Sequence, residues 1–200
     1  MIDRRRFLET GTLLSLGSLI PEAARPGTLL ARRCSGLACA VVDARYEPSR
    51  AFAGELQRAA VIVHPMAGDV TQVWYEHLQP LWRASPIAVA GFTSYATLFC
   101  LERLGWDHGL RMVYRGVHAW AADQRLEHRI AASAPLRQRL RLELHADTWP
   151  AGLARALCNA SPTPGWHEEP AIGSRTPQSR LTTRSARRSA GLPLYSWVIA

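Results

Sequence analysis

The sequence predicts an α/β domain built on a parallel sheet, and three observations carry that expectation. AVIVHP (60–65) and PIAVAGF (86–92) are short apolar runs rich in β-branched residues. Each leaves through a turn containing Gly, Asp, Thr or Ser that opens a helix-period stretch. The intervening VTQVWYEHLQ (70–79) is amphipathic at helical spacing. In a sheet of this kind a ligand site lies beyond the carboxyl ends of the strands.

In chain order, MIDRRRFLE comes first, a basic segment followed by the mildly apolar TGTLLSLGSLI (10–20) and Pro21. That combination predicts an export signal, and 11 residues are too few for a span, which needs about 20. Arg4, Arg5, Phe7 and Leu8 resemble the twin-arginine (Tat) pattern Ser/Thr-Arg-Arg-x-Phe-Leu-Lys, with Arg6 at the free position. The resemblance covers residues 1–24. It implies a bacterial protein that folds before the Tat export machinery carries it to a periplasmic or secreted location. Residues 25–36 read as a spacer.

The domain itself is expected over 37–158. CAVVDARY (39–46) is the first strand, and Pro48 opens a helix in which Phe52, Ala53, Leu56 and Ala59 share a side. Strand two is 60–65. Pro80 should kink or end the helix after it. Strand three is 86–92, and 94–109 is a third helix with Gly105 or Gly109 for its stop. LRMVYRGVHAW (110–120) is strand four of the same parallel sheet.

Residues 123–131 read as a short helix, 135–146 fits either helix or strand, and 148–158 is a helix. Residues 159–191, rich in Pro, Ser, Thr and Arg, read as a disordered basic loop. LPLYSWVIA (192–200) ends on a terminal strand, a candidate for the sheet edge. The expected architecture is a three-layer, flavodoxin- or Rossmann-like sandwich with a mostly parallel sheet.

The formal charge of +8 resides in the ends of the chain. Residues 1–33 hold six arginines against three acids and 171–191 hold five against none, whereas 34–170 balance thirteen against thirteen. A neutral body with basic ends lacks the footprint of a nucleic-acid-binding domain. All the basic residues are arginine, so lysine Schiff-base and general-base mechanisms are excluded.

Polar residues at the strand ends are Asp43 and Arg45, then His64, Asp69 and Thr71, then Thr93 and Ser94, then Arg115 and His118. Parallel strands would gather them on one rim. Thr71, Thr93 and Ser94 would stand at helix N-termini, which favour anions, and Arg45 and Arg115 would add forked donors. His64 and Asp69 are the candidate acid–base pair.

The chain has no Gly-x-Gly-x-x-Gly after strand one, no P-loop, no Gly-x-Ser-x-Gly and no His-Glu-x-x-His, and its histidines lack metal spacing. No cofactor is indicated. Cys100, among Leu98, Phe99 and Leu101, reads as core. An oxidising compartment permits Cys34–Cys39 or a pair with Cys158, and the connectivity does not follow from the sequence.

Three functions fit these residues. One is an exported binding or accessory protein for a small anionic ligand. Another is a periplasmic hydrolase or isomerase using His64 and Asp69. The third is a partner subunit that docks on another periplasmic protein through its terminal strand and basic loop.

Overall fold

Apolar runs among the described residues build a mixed sheet of eight strands, in the order β2-β1-β3-β8-β4-β5-β6, with β7 also on β5. The computed structural model describes residues 34, 36–121, 125–161, 167–168, 172–177 and 192–200. All of these fall in one compact unit, Ala31–Ala200. The export pattern at Arg4, Arg5, Phe7 and Leu8, and most of the spacer, lie outside the described residues.

Strands β1 (Cys39–Asp43) and β3 (Val89–Thr93) are buried at every position, as strands covered on both faces must be. They pair in parallel with each other, and β1 pairs in parallel with β2 (Ile62–Met66). As the end strand, β2 tolerates an exposed Ile62 and the imino acid Pro65.

Beyond β3 the sheet changes character. β8 (Leu194–Ile199) runs antiparallel to both β3 and β4 (Met112–Trp120). The terminal strand is thus central rather than at the edge. Its apolar Trp197, Val198 and Ile199 need cover on both faces, which an edge does not provide. β4 keeps the direction of β1–β3, as expected, but it reaches them only through β8. β5 (Arg125–Ala132) pairs antiparallel with β4 and replaces the short helix expected over 123–131. Leu126, His128 and Ile130 are buried at every second position, and that period fits a strand. Within 159–191, β6 (His167–Glu168) and β7 (Ile172–Pro177) pair with β5; much of the remainder of that expected loop lies outside the described residues.

Helices cover both faces. α1 (Glu47–Arg58), α5 (Ala134–Glu143) and α6 (Trp149–Cys158) lie over one, packing Phe52, Leu56, Leu140 and Leu153 against Ala40, Val42, Ala90 and Val198. α5 resolves the ambiguous leucine-rich run as a helix. The other face carries α2 (Thr71–Val73), a π-helical turn (Trp74–Leu78), α3 (Gln79–Ala84) and α4 (Tyr95–Trp106). Trp74, Leu78, Trp82, Leu98 and Leu101 close it against Val41, Val89, Trp197 and Ile199.

Pro80 does not end its helix. The turn ahead of it widens, so that Gln79 N–H bonds to the Trp74 carbonyl, and the chain continues as α3. Cys100 is exposed on α4, contrary to the core position expected, because the buried side of that helix is Thr97, Leu98, Leu101 and Gly105.

Two helices end in the same hydrogen-bond pattern. After α4, Leu110 N–H bonds to the Gly105 carbonyl around Gly109, whose φ is +76°. After α1, Val61 N–H bonds to the Leu56 carbonyl around Ala60, a non-glycine residue at φ +60°.

Candidate functional site

The common direction of β1–β4 gathers their exits on one rim, and β8 ties the rows together. Thr93 and Val117 both pair with Tyr195, and Phe92 and Gly116 both pair with Ser196. Strand alternation then divides the polar residues between the two faces. Asp43, His64 and Thr93 share the parity of Cys39, Val41 and Val89 and lie on the α4 side. His118 shares the parity of Tyr114 and lies on the α6 side. The expected single cluster is therefore split by the sheet.

On the α4 side each expected residue is already engaged. Asp43 is fully buried and grips Arg45 by two side-chain bonds, from Nε at 2.9 Å and Nη2 at 2.6 Å, with the Arg45 N–H adding a third at 3.2 Å. The Asp43 carboxylate raises the pKa of the guanidinium, which packs on Gly68 at φ +93°. Thr93 accepts from Trp197 Nε1 at 3.0 Å and donates to the Ser94 carbonyl. Ser94 stands at the N-cap position of α4 without a side-chain capping bond, its hydroxyl 3.3 Å from that of Thr97. Arg115 is half-buried and engaged by its surroundings.

His64 and Asp69 are engaged separately. The His64 ring stacks on His77 with centroids 4.1 Å apart, and partial burial, then the His77 charge, lowers its pKa. Asp69 is exposed and accepts from Thr71 N–H at 2.8 Å, a turn contact that lowers its own pKa. Thr71 opens the helical stretch that runs through the π-helical turn to Ala84.

On the α6 side, three residues absent from the sequence-based site join His118 in a buried chain. Tyr114 Oη lies 2.8 Å from Ser196 Oγ, Ser196 Oγ 2.7 Å from His118 Nε2, and His118 Nδ1 2.7 Å from His128 Nδ1. Sheet register sets these contacts, because Gly116 pairs with Ser196 and His118 with His128. Gly116 leaves the required gap. A Cβ there would stand 2.5 Å from both Ser196 Oγ and Tyr114 Oη. Trp149, at the start of α6, lies over the pair with its ring centroid 4.6 Å from each imidazole, and Phe92 lies 5.2 Å from His118.

Burial governs the protonation of the chain. Desolvation, then the His128 charge, holds His118 well below the ordinary histidine range. Desolvation, with a contribution from His145, lowers His128 to about 3. Burial also raises the Tyr114 hydroxyl, only partly offset by its bond to Ser196.

With both rings neutral, one proton occupies the Nδ1–Nδ1 contact. If Tyr114 donates to Ser196, Ser196 to His118 Nε2 and His118 Nδ1–H to His128, the one orphan is the His128 Nε2 proton. The reverse direction leaves the Tyr114 proton and the His128 Nε2 lone pair both unmatched. Each buried orphan costs about 1–3 kcal/mol, so the first arrangement wins. Among the described residues His128 Nε2 is a buried nitrogen without a hydrogen-bond partner.

Sequence offered two signals for this chain: a small polar residue inside the apolar LYSWVI, and the alternation Tyr-x-Gly-x-His in strand four. Neither identifies its partner, because the contacts span 78 and 82 residues. Among the described residues no group of three or more His, Cys, Asp or Glu is placed to hold a metal ion. Comparison with family models, with curated proteins and with solved structures finds no match to this chain, so what the site does has to be read from its own residues.

Proposed function

We propose that the protein is an exported hydrolase of the acyl-transfer type, with Ser196 as nucleophile, His118 as its base and His128 as the residue that orients the base. The observation that carries this reading is the pair of 2.7 Å contacts through one imidazole, Ser196 Oγ to His118 Nε2 and His118 Nδ1 to His128 Nδ1. Nucleophile, base and orienter are linked in the order that covalent catalysis by serine requires.

In the acyl step Ser196 Oγ attacks the carbonyl carbon and His118 Nε2 takes its proton. His128 Nδ1 accepts from His118 Nδ1–H and fixes the tautomer. A neutral imidazole stabilises the resulting imidazolium less than a carboxylate would, so slow turnover is expected. The lowered His118 pKa keeps the base unprotonated into the acidic range. Trp149 covers the pair, and entry of substrate requires its ring to move.

A fluorophosphonate probe tests the reading. Wild-type protein should be labelled at Ser196, Ser196→Ala and His118→Gln should not be labelled, and Trp149→Ala should label faster. Folded wild-type protein that stays unlabelled would make the chain a packing device of the core.

A second reading, the holding of a small anion, is favoured by Arg45, which Asp43 fixes while 49% of its side chain stays exposed. Stabilisation by phosphate or small carboxylates in a thermal-shift screen, lost in Arg45→Ala, would support it.

The pattern at Arg4, Arg5, Phe7 and Leu8 supports export through the twin-arginine route as part of this reading. Replacing Arg4 and Arg5 by lysine should retain the protein in the cytoplasm. The docking role assigned to the terminal strand loses its basis, because β8 has neighbours on both sides. Deleting 192–200 should give insoluble protein. No helix among the described residues is long and apolar enough to cross a membrane.

A further inference from the structure

The outer side of α4 is apolar where a helix laid over a closed core should turn polar residues to water. Tyr95, Phe99 and Trp106, at i, i+4 and i+11, are 55%, 43% and 41% exposed. They lie on the side away from the buried Thr97, Leu98, Leu101 and Gly105. The Arg103 guanidinium lies over the Trp106 ring at 3.9 Å and over Phe99 at 5.1 Å, and the Tyr95 and Phe99 rings are 6.2 Å apart. Ala96, Cys100 and Asp107 are exposed in the same strip. A 12-residue helix makes this strip about 18 Å long. Its side chains are already ordered against one another, so docking would cost them little further freedom.

We propose that α4 is the surface through which two copies of this chain pair, antiparallel across a twofold axis at the middle of the helix. The strip is complementary to itself when reversed. Turning one α4 about its midpoint sets Tyr95 of each copy against the partner's Trp106, and Phe99 against the partner's Arg103. Each guanidinium then meets aromatic faces from both chains. The small Ala96 beside Tyr95 leaves room for the incoming indole. Asp107, just past the helix end, comes to the first turn of the partner's α4, where free N–H groups favour a carboxylate.

Charge selects a second copy over a membrane. Asp107 stands in the strip and the half-buried Glu102 beside it, and anionic headgroups would repel both. In the reversed pair the same Asp107 gains a favourable neighbour. The footprint of one helix, about 18 Å by 10 Å, falls well short of the about 800 Å² per partner of a standard interface. The pair is therefore weak and forms at high concentration.

Cys100 supplies a probe, because it is exposed and the reversal brings the two copies of it within about 3 Å of the same height along the helices. Sedimentation velocity of the full chain in reductant should show one chain when dilute and two when concentrated. A short bis-maleimide should join Cys100 to Cys100, located by peptide mapping, with a yield that falls on dilution. Cys100→Ser should lose the cross-link and keep the pairing. Phe99→Ala, Arg103→Glu and Asp107→Arg should each weaken pairing by about tenfold, with the melting temperature of a dilute sample unchanged because all three side chains are exposed. Pairing that survives all three variants, or a cross-link that maps to Cys34 in place of Cys100, would overturn the proposal. So would wild-type protein that stays single at every concentration, and binding of those single chains to phosphatidylglycerol vesicles would make the strip a lipid contact instead.

Discussion

The two faces of the sheet are closed by different means. Under α4 the filling is aromatic and aliphatic: Trp74, Trp82 and Trp197 pack with Leu98 and Leu101, and the Trp197 indole donates to Thr93. Under α6 a four-residue polar chain runs through the apolar packing and ends in a nitrogen without a partner among the described residues. A hydrogen bond adds only about 0.5–1.5 kcal/mol net, and the orphan at its end removes a comparable amount, so the chain gains the fold little. It does fix the orientation of Ser196 and His118, and the difference between the faces is what directs attention to the α6 side.

The largest expected effect sharpens the contrast from the apolar side. Trp197→Ala should cost about 3–5 kcal/mol in denaturant unfolding, since it removes a fully buried indole and the donor to Thr93. On the polar face Gly116→Ala should cost about 1–3 kcal/mol by pushing a methyl into the Ser196–Tyr114 contact, and it should also abolish probe labelling. A core variant on the α4 face that lowers stability equally but keeps labelling would locate chemistry on one face only. Equal loss of labelling in both would collapse the distinction.

Acid should discriminate next. His118 and His128 are neutral when folded and protonate near pH 6.5 when unfolded, so the unfolded state binds more protons as pH falls. Their contribution is complete above about pH 6.5 and is lost as pH falls toward the depressed folded values, by at most about 1.4 kcal/mol per pH unit for each ring. Urea midpoints measured from pH 7 to pH 4 should show this slope, and His128→Leu should flatten part of it. Trp197→Phe should leave it unchanged.

The smallest effect concerns the ends of α1 and α4. Gly109 serves α4 without strain, whereas Ala60 holds a left-handed φ after α1. Ala60→Gly should therefore stabilise the protein by about 1 kcal/mol, read as a rise in melting temperature.

Local pattern was enough for part of this molecule. The strands at 39–43, 62–66 and 89–93 were legible because fully or nearly continuous apolar runs sat between turn residues, and α1 because Pro48 and the spacing of its apolar residues marked its start and face. Strand β5 was not legible, since one of its inward positions is the polar His128 and its outward Arg125, Glu127 and Arg129 give the stretch a helical composition. Of the site, His118 was visible at the end of strand four, whereas Ser196 looked like part of an apolar terminus.

By itself the sequence determined the α/β alternation, the common direction of the first four strands and the basic ends flanking a neutral body. These follow from periodicity and composition, which act over a few residues. Only the tertiary structure decided that the last strand enters between β3 and β4, and with it which serine meets which histidine. Insertion of β8 is a long-range pairing set by register, and a one-residue slip would turn Ser196 to the opposite face.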